Sequence, residues 1–264
     1  MKSLKVVVIA LLFFYLPLAT MAWGAEGHRI VGKIAESYLS KSAKKELSKI
    51  LGTESMAIAS TWMDFIKSDP AYNYLSSWHY INLKAGLSPV ALQGFLDKDT
   101  AVNAYTKINF LVAELKNKSL PIETKKFYVK ILIHLVGDIH QPMHTGRLED
   151  LGGNKVKVMW FGDSKNLHQV WDDQLIQFQQ LSYTEYAASI NHVTNAQKIT
   201  MMSEPVSTWI YQSYQLSEKI YSEITQADQR LDYKYNFNYV ASLNLQLLRG
   251  GVHLASILNK IFEG

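Results

Sequence analysis

Cysteine is absent from this 264-residue chain, which excludes a disulfide framework and a lipid-modified cysteine anchor. Charge of one sign is scarce as well. The formal net charge is +4 at pH 7, and Lys2 and Lys5 contribute to it from the extreme N-terminus. No basic nucleic-acid tail or polybasic membrane patch exists, so affinity for a polyanion must come from a local site. Proline is sparse, at six residues. Long apolar runs are lacking, with one exception between Val6 and Leu18.

That exception reads as a signal peptide over residues 1–22. Lys2 and Lys5 form the positive start, Val6 to Leu18 the apolar middle, and Thr20-Met21-Ala22 a small-x-small cleavage site. The apolar run is marginal for a membrane span. The polar sequence after Gly24 favours cleavage over a retained anchor, so the expected protein is secreted or periplasmic, with no membrane anchor. Cleavage after Ala22 would leave Trp23 first in the string Trp23-Gly24-Ala25-Glu26-Gly27-His28. A free α-amine, its own carbonyl and a histidine five residues on can together hold a metal ion.

What is present in quantity is apolar residue, 48% of the chain, enough for a sizeable core. Spacings of three and four predict helices over 26–51, 54–67, 89–117, 122–139, 168–178, 203–228 and 235–261. Prolines 70, 89, 121, 142 and 205 fall near segment ends. Only Lys155 to Phe161 alternates, and Gly162-Asp163 follows it, which predicts a short β-hairpin. No repeat, low-complexity tract or linker appears. The expectation is one mainly α domain, a helical bundle over residues 23–264 with a short β-hairpin.

There are eight histidines. His134 and Asp138 stand at i, i+4, and so do His168 and Asp172, so each pair shares a helix face. Taken alone, such a pair is often a surface hydrogen bond. The context adds more. Pro142 stops the helix and lets His144 turn back toward the same place. Asp64 follows Thr61-Trp62-Met63, and His79 sits in Trp78-His79-Tyr80-Ile81-Asn82. Imidazole and carboxylate suit zinc, which without cysteine must be held by nitrogen and oxygen. His140 is turned off the His134/Asp138 face and reads as a supporting residue. His192 and His253 fit no ligand motif. The tryptophans at 62, 78, 160 and 171 read as walls of the site.

In order and spacing these motifs resemble the zinc-dependent single-strand-specific nucleases of the S1/P1 type. The resemblance spans the mature chain, from residue 23 on: Trp-Gly-x-x-Gly-His, Thr-Trp-x-Asp, Trp-His-Tyr-Ile, His134 to His144, Gly152-Gly153-Asn154 and His168-x-x-x-Asp172. It implies three zinc ions per chain. One would be held by Asp64, His79, His134 and Asp138, and a second by His144, His168 and Asp172. The third would be held by the Trp23 amine and carbonyl, His28 and a bridging Asp138. The resemblance further implies hydrolysis of single-stranded DNA and RNA to 5′-phosphate products, with 3′-nucleotidase activity, in a monomer. Asp64 would orient the attacking water as well as bind metal. Lys67 is placed near the scissile phosphate, or is a solvated helix lysine. Tyr80 matches a base-stacking position, or packs in the core. Asn154 matches a substrate contact, or is a turn residue before the hairpin. Asn82 stands where the fungal members carry a base-contacting aspartate, which leaves base preference open. Their disulfides are also missing here.

A zinc phospholipase C is the alternative, since it too begins with a ligating tryptophan. The short Trp23-to-His28 spacing and the aspartate at 172, where phospholipases carry glutamate, favour the nuclease. A non-catalytic zinc-binding protein on the same scaffold is disfavoured by the intact ligand positions.

Overall fold

The computed structural model describes residues 23–263, so the expected signal peptide over 1–22 lies outside the described residues. The helix expected over 26–51 is two, α1 (Ala25–Tyr38) and α2 (Lys41–Leu51). Ser40 causes the break. Its side chain caps α2 by accepting from the Ala43 N–H, while its own N–H donates to Asn259. The stretch expected over 54–67 is fragmented into α3 (Met56–Ala59), α4 (Trp62–Phe65) and a 3₁₀ turn, Ile66–Ser68. A further 3₁₀ stretch, Pro70–His79, had no periodic signal and delivers His79 to the site. Residues 89–117 form α5 (Pro89–Leu96) and α6 (Ala104–Leu115), divided where Asn103 and Thr106 close a capping box.

The helix expected over 122–139 is α7 (Ile122–Asp138), and it is the centre of the fold. Every residue from Val129 to Asp138 is buried, so its second half has no solvent face. A helix wrapped on all sides is where polar side chains are held most rigidly, and His134 and Asp138 lie there.

The expected hairpin is present as β1 (Lys157–Trp160) and β2 (Asp163–Asn166), paired antiparallel. Phe161 and Gly162 join them with φ of 49° and 97°, the positive pair that a two-residue type I′ turn needs. The hairpin is not the whole sheet. β3 (Gln229–Leu231) adds in parallel to β1, giving the order β2-β1-β3.

After β2 come α8 (Leu167–Gln169), a π-helical turn Val170–Gln174 and α9 (Leu175–Gln177), in place of one regular helix over 168–178. α10 (Tyr183–Ile190) and α11 (Asn195–Ser203) were not expected, although Ser182 and Thr194 open both with capping boxes. α12 (Val206–Glu223) and α13 (Tyr233–Phe262) complete a mainly α single domain. α1 and α13 approach closely at Gly251, where a Cβ would lie 2.4 Å from Ile34 Cγ2. No helix among the described residues is long and apolar enough to cross a membrane.

Candidate metal centre

α7 carries the centre. His134 Nδ1 donates to the Ser60 carbonyl at 2.6 Å, which leaves Nε2 as the free lone pair and turns it toward Asp138 and Asp64. The same device recurs twice. His144 Nδ1 donates to the His79 carbonyl at 2.7 Å, and His168 Nδ1 to the Gly152 carbonyl at 2.6 Å. Gly152 can do this only as glycine: its φ is +63°, and a Cβ would sit against the Met143 carbonyl oxygen.

The 3₁₀ turn Pro142–Thr145 returns His144 to the site, as the proline implied. Backbone pairing then ties the halves together. Ile81 N–H donates to the His144 carbonyl, and Leu83 N–H to that of Gly146. The chain from His79 to Leu83 is thus sewn to the chain from His144 to Gly146.

The ligand atoms converge. His79 Nδ1 lies 2.9 Å and His134 Nε2 3.3 Å from Asp138 Oδ2, and His28 Nε2 is 3.3 Å from Asp138 Oδ1. His134 Nε2 is 3.7 Å from Asp64 Oδ1. In the second cluster His168 Nε2 is 3.3 Å from Asp172 Oδ2, and His144 Nε2 3.9 Å from Asp172 Oδ1. Three groups could each hold an ion: His79, His134 and Asp138; His144, His168 and Asp172; and His28, Asp64 and His134. The second is the set the motifs implied. The others redistribute the remaining ligands, because the His28 ring stacks on His134 with centroids 3.8 Å apart and so meets Asp64's side of the cluster. Asp138 touches His28, His79 and His134.

The donor set fits a cation. Both ring nitrogens of His28, Nε2 of His79, Nε2 of His144 and Oδ1 of Asp138 are buried without a hydrogen bond. Each such atom would cost roughly 1–3 kcal/mol if left without a partner. Burial holds the imidazoles of His28, His79 and His144 well below their ordinary range, and that of His168 at about 4. At neutral pH these rings therefore present lone pairs. His134 is the exception. Burial pulls it down, but the Asp138 and Asp64 carboxylates outweigh burial and raise it. Burial pushes the Asp138 carboxyl up to about 6 and that of Asp172 well above the carboxylate range. Mostly neutral imidazoles beside carboxylates whose charged form burial penalises are what a divalent ion stabilises.

An open cleft of about 330 Å³ lies over the centre, lined by Lys67, Tyr80, Asn82 and Asn154 beside His79 and His144. Tyr80 is 40% exposed, so it is not a core residue. Lys67 Nζ lies 2.5 Å from Asp64 Oδ1, in an ion pair at the cleft rather than free in solvent. Asn154 serves the turn, donating to the Leu151 carbonyl, and lines the cleft as well. The Trp23 side chain is fully buried against Gly27. His140 turns away from the centre, to Val136 and His253, and His192 is exposed. Trp171 is buried and donates to Tyr235, while Trp78 and Trp160 are buried and Trp62 is half-buried.

One residue escaped the sequence motifs. Gln141 donates to Asp172 Oδ1 and accepts from the Met143 N–H, joining the two halves of the second cluster. Its only signal was its place between Asp138 and His144.

A helical domain that gathers buried imidazoles and carboxylates beneath an open cleft is built as a metal-dependent hydrolase. The family model described as S1/P1 Nuclease matches residues 23–263. Endonuclease 3 of Arabidopsis thaliana is 30% identical over 92% of this chain and 90% of its own. Nuclease S1 of Aspergillus oryzae is 32% identical over 59% of this chain and 55% of its own, and nuclease P1 of Penicillium citrinum 27% identical over 90% and 97%. The chain belongs to the S1/P1 nuclease family. These relatives are nucleases and not phospholipases, in keeping with Asp172 and the short Trp23-to-His28 spacing.

Proposed function

We propose that the protein is a secreted, zinc-dependent endonuclease that hydrolyses single-stranded DNA and RNA to 5′-phosphate products and acts on 3′-nucleotides. The observation that carries this is the convergence of unpartnered, buried nitrogen and oxygen atoms at the floor of a cleft edged by Tyr80 and Lys67. One ion would be held by Asp64, His79, His134 and Asp138, and another by His144, His168 and Asp172. A third would be held by His28, Asp138 and the amine and carbonyl of Trp23, exposed once residues 1–22 are removed. Bound zinc supplies Lewis acidity and makes water acidic enough to lose a proton near pH 7.

The protein's own groups do the rest. Asp64 accepts a hydrogen bond from the attacking water and orients it toward phosphorus. Lys67, held by Asp64, brings positive charge to a phosphate oxygen whose charge grows in the transition state. Tyr80 takes an unpaired base onto its ring, which a base within a duplex stack cannot reach. Asn82 offers that base both a donor and an acceptor, so it does not demand one protonation pattern. Asn154, which also lines the cleft, contacts substrate.

The test is hydrolysis by purified protein beginning at Trp23, with and without a chelator. The substrates are single-stranded DNA, RNA, a 3′-mononucleotide and phosphatidylcholine. Chelator-sensitive cleavage of the nucleic acids with 5′-phosphate ends is expected. Cleavage of phosphatidylcholine alone, or a metal content of one ion or fewer in active protein, would refute it.

A further inference from the structure

The 3₁₀ stretch that brings Ser76 to the cleft, and α6 beside it, carry aromatic and cationic groups outside the cleft lining. Tyr74 lies on the 3₁₀ stretch Pro70–His79, two residues before Ser76, which lines the cleft. Tyr74 is 54% exposed, and its ring meets the Trp78 indole edge to face, with centroids 5.9 Å apart. Lys107, near the start of α6, holds its Nζ 4.5 Å from the Trp78 ring centroid and 5.3 Å from that of Phe110. Phe110 is 40% exposed. α6 is itself tied to the cleft, since Ala104 N–H donates to the Tyr80 carbonyl at 3.0 Å. Tyr74, Trp78, Lys107 and Phe110 therefore form one cluster, carried by the same two elements that are tied to the cleft through Ser76 and Tyr80.

The chemistry of that cluster is specific. Lys107 pairs with no carboxylate among the described residues, and its charge rests against two aromatic rings. Aromatic faces beside an uncompensated cation suit a chain of bases and phosphates, and they read no base in particular. The overall charge is too small to gather a polyanion, so local cations decide where it lies.

We propose that Tyr74, Lys107 and Phe110 form a second subsite, which holds nucleotides of a single strand that extend beyond the cleft. Lys107 receives a backbone phosphate, and the exposed rings stack unpaired bases. This rests on the nuclease function proposed above and extends it. A 3′-mononucleotide fills the cleft alone, whereas an oligonucleotide also reaches the subsite.

The test compares kcat/KM on a single-stranded oligonucleotide of about ten nucleotides with kcat/KM on a 3′-mononucleotide, in zinc-loaded enzyme beginning at Trp23. In Tyr74→Ala the ratio of the two is expected to fall about tenfold, mainly through KM on the oligonucleotide. In Lys107→Gln the slope of log affinity against log salt, read with a phosphorothioate oligonucleotide, is expected to drop by about 0.7. Lys107→Arg is expected to keep the slope. Zinc content and melting temperature are recorded for each, and the lysine variants carry the test if Tyr74→Ala does not fold. An unchanged ratio and slope, or an equal loss on both substrates, would overturn the second subsite while leaving the nuclease function intact. A wild-type enzyme that hydrolyses neither substrate overturns the function itself, and the subsite with it.

Discussion

Gly137 lies one residue before Asp138 on α7, and a methyl group there would meet the metal centre directly. A Cβ at this position would lie 2.8 Å from His28 Nδ1 and 3.2 Å from its Cε1. His28 has nowhere easy to go, because its ring is fully buried and stacked on His134 at 3.8 Å. Two energies oppose each other in Gly137→Ala. Replacing a helical glycine by alanine gains roughly 0.8–1.0 kcal/mol. Forcing a methyl into a packed site loses roughly 1–3 kcal/mol. The net loss is about 0–2 kcal/mol, which for a domain of this size lowers Tm by at most about 8 °C. Folding survives, but ligation does not. Metal–ligand distances tolerate only about ±0.2 Å, so a displaced His28 loses its ion. Elemental analysis is expected to show one zinc fewer than in wild type, with turnover down about 10–100-fold. Gly94→Ala is the control. It is also helical, but its Cβ would meet nothing within 4 Å, so it is expected to stabilise with full zinc and activity. A Gly137→Ala protein with the zinc and turnover of the Gly94→Ala control would refute the role given to His28.

In metal-free protein the buried Asp138 carboxyl titrates at about 6, above its unfolded value. Its stabilising contribution is therefore complete below about pH 4 and lost as pH rises through 6. Metal-free Asp138→Asn, which has no charge to bury, is expected to be more stable than wild type at pH 7–8 by about 2–3 kcal/mol, but not at pH 4, in denaturant titrations. Equal stabilisation at both pH values would show that ionisation is not the cause. Asp64→Asn is expected to keep part of the metal and lose most turnover, and near wild-type kcat would remove its role in orienting water. Tyr80→Ala is expected to weaken nucleotide binding by about 1–3 kcal/mol with zinc intact, and Tyr80→Phe to be nearly silent; calorimetry on both distinguishes the ring from the hydroxyl. A residue placed before Trp23 converts its amine to an amide, whose lone pair is delocalised. Such protein is expected to lose one zinc and much of its activity until the extension is removed, and full zinc in the extended form would exclude amine ligation.

Much of the centre was legible because its ligands come as local patterns. The His134/Asp138 and His168/Asp172 pairs follow from helical spacing alone, and Pro142 announces the turn that returns His144. The β-hairpin was legible from alternation and the Phe161-Gly162 turn. Helix boundaries were harder to read. Ser40 and Asn103 cap helices within runs whose apolar spacing continues on either side, and periodicity does not register a single hydrogen-bonding side chain.

The sequence by itself determined which residues are chemically able to bind metal, and that the fold is mainly helical. Both depend on side-chain type and near-neighbour spacing. Tertiary structure alone decided how those residues are aimed. The carbonyls of Ser60, His79 and Gly152 set the three ring orientations, and any residue supplies a carbonyl, so no letter in the sequence marks them. The same holds for the pairing of Ile81 and Leu83 with the chain after His144, and for β3 beside β1. It holds too for the burial that keeps the imidazoles neutral. Each depends on segments distant in the chain meeting at one place, and local pattern carries no record of that meeting.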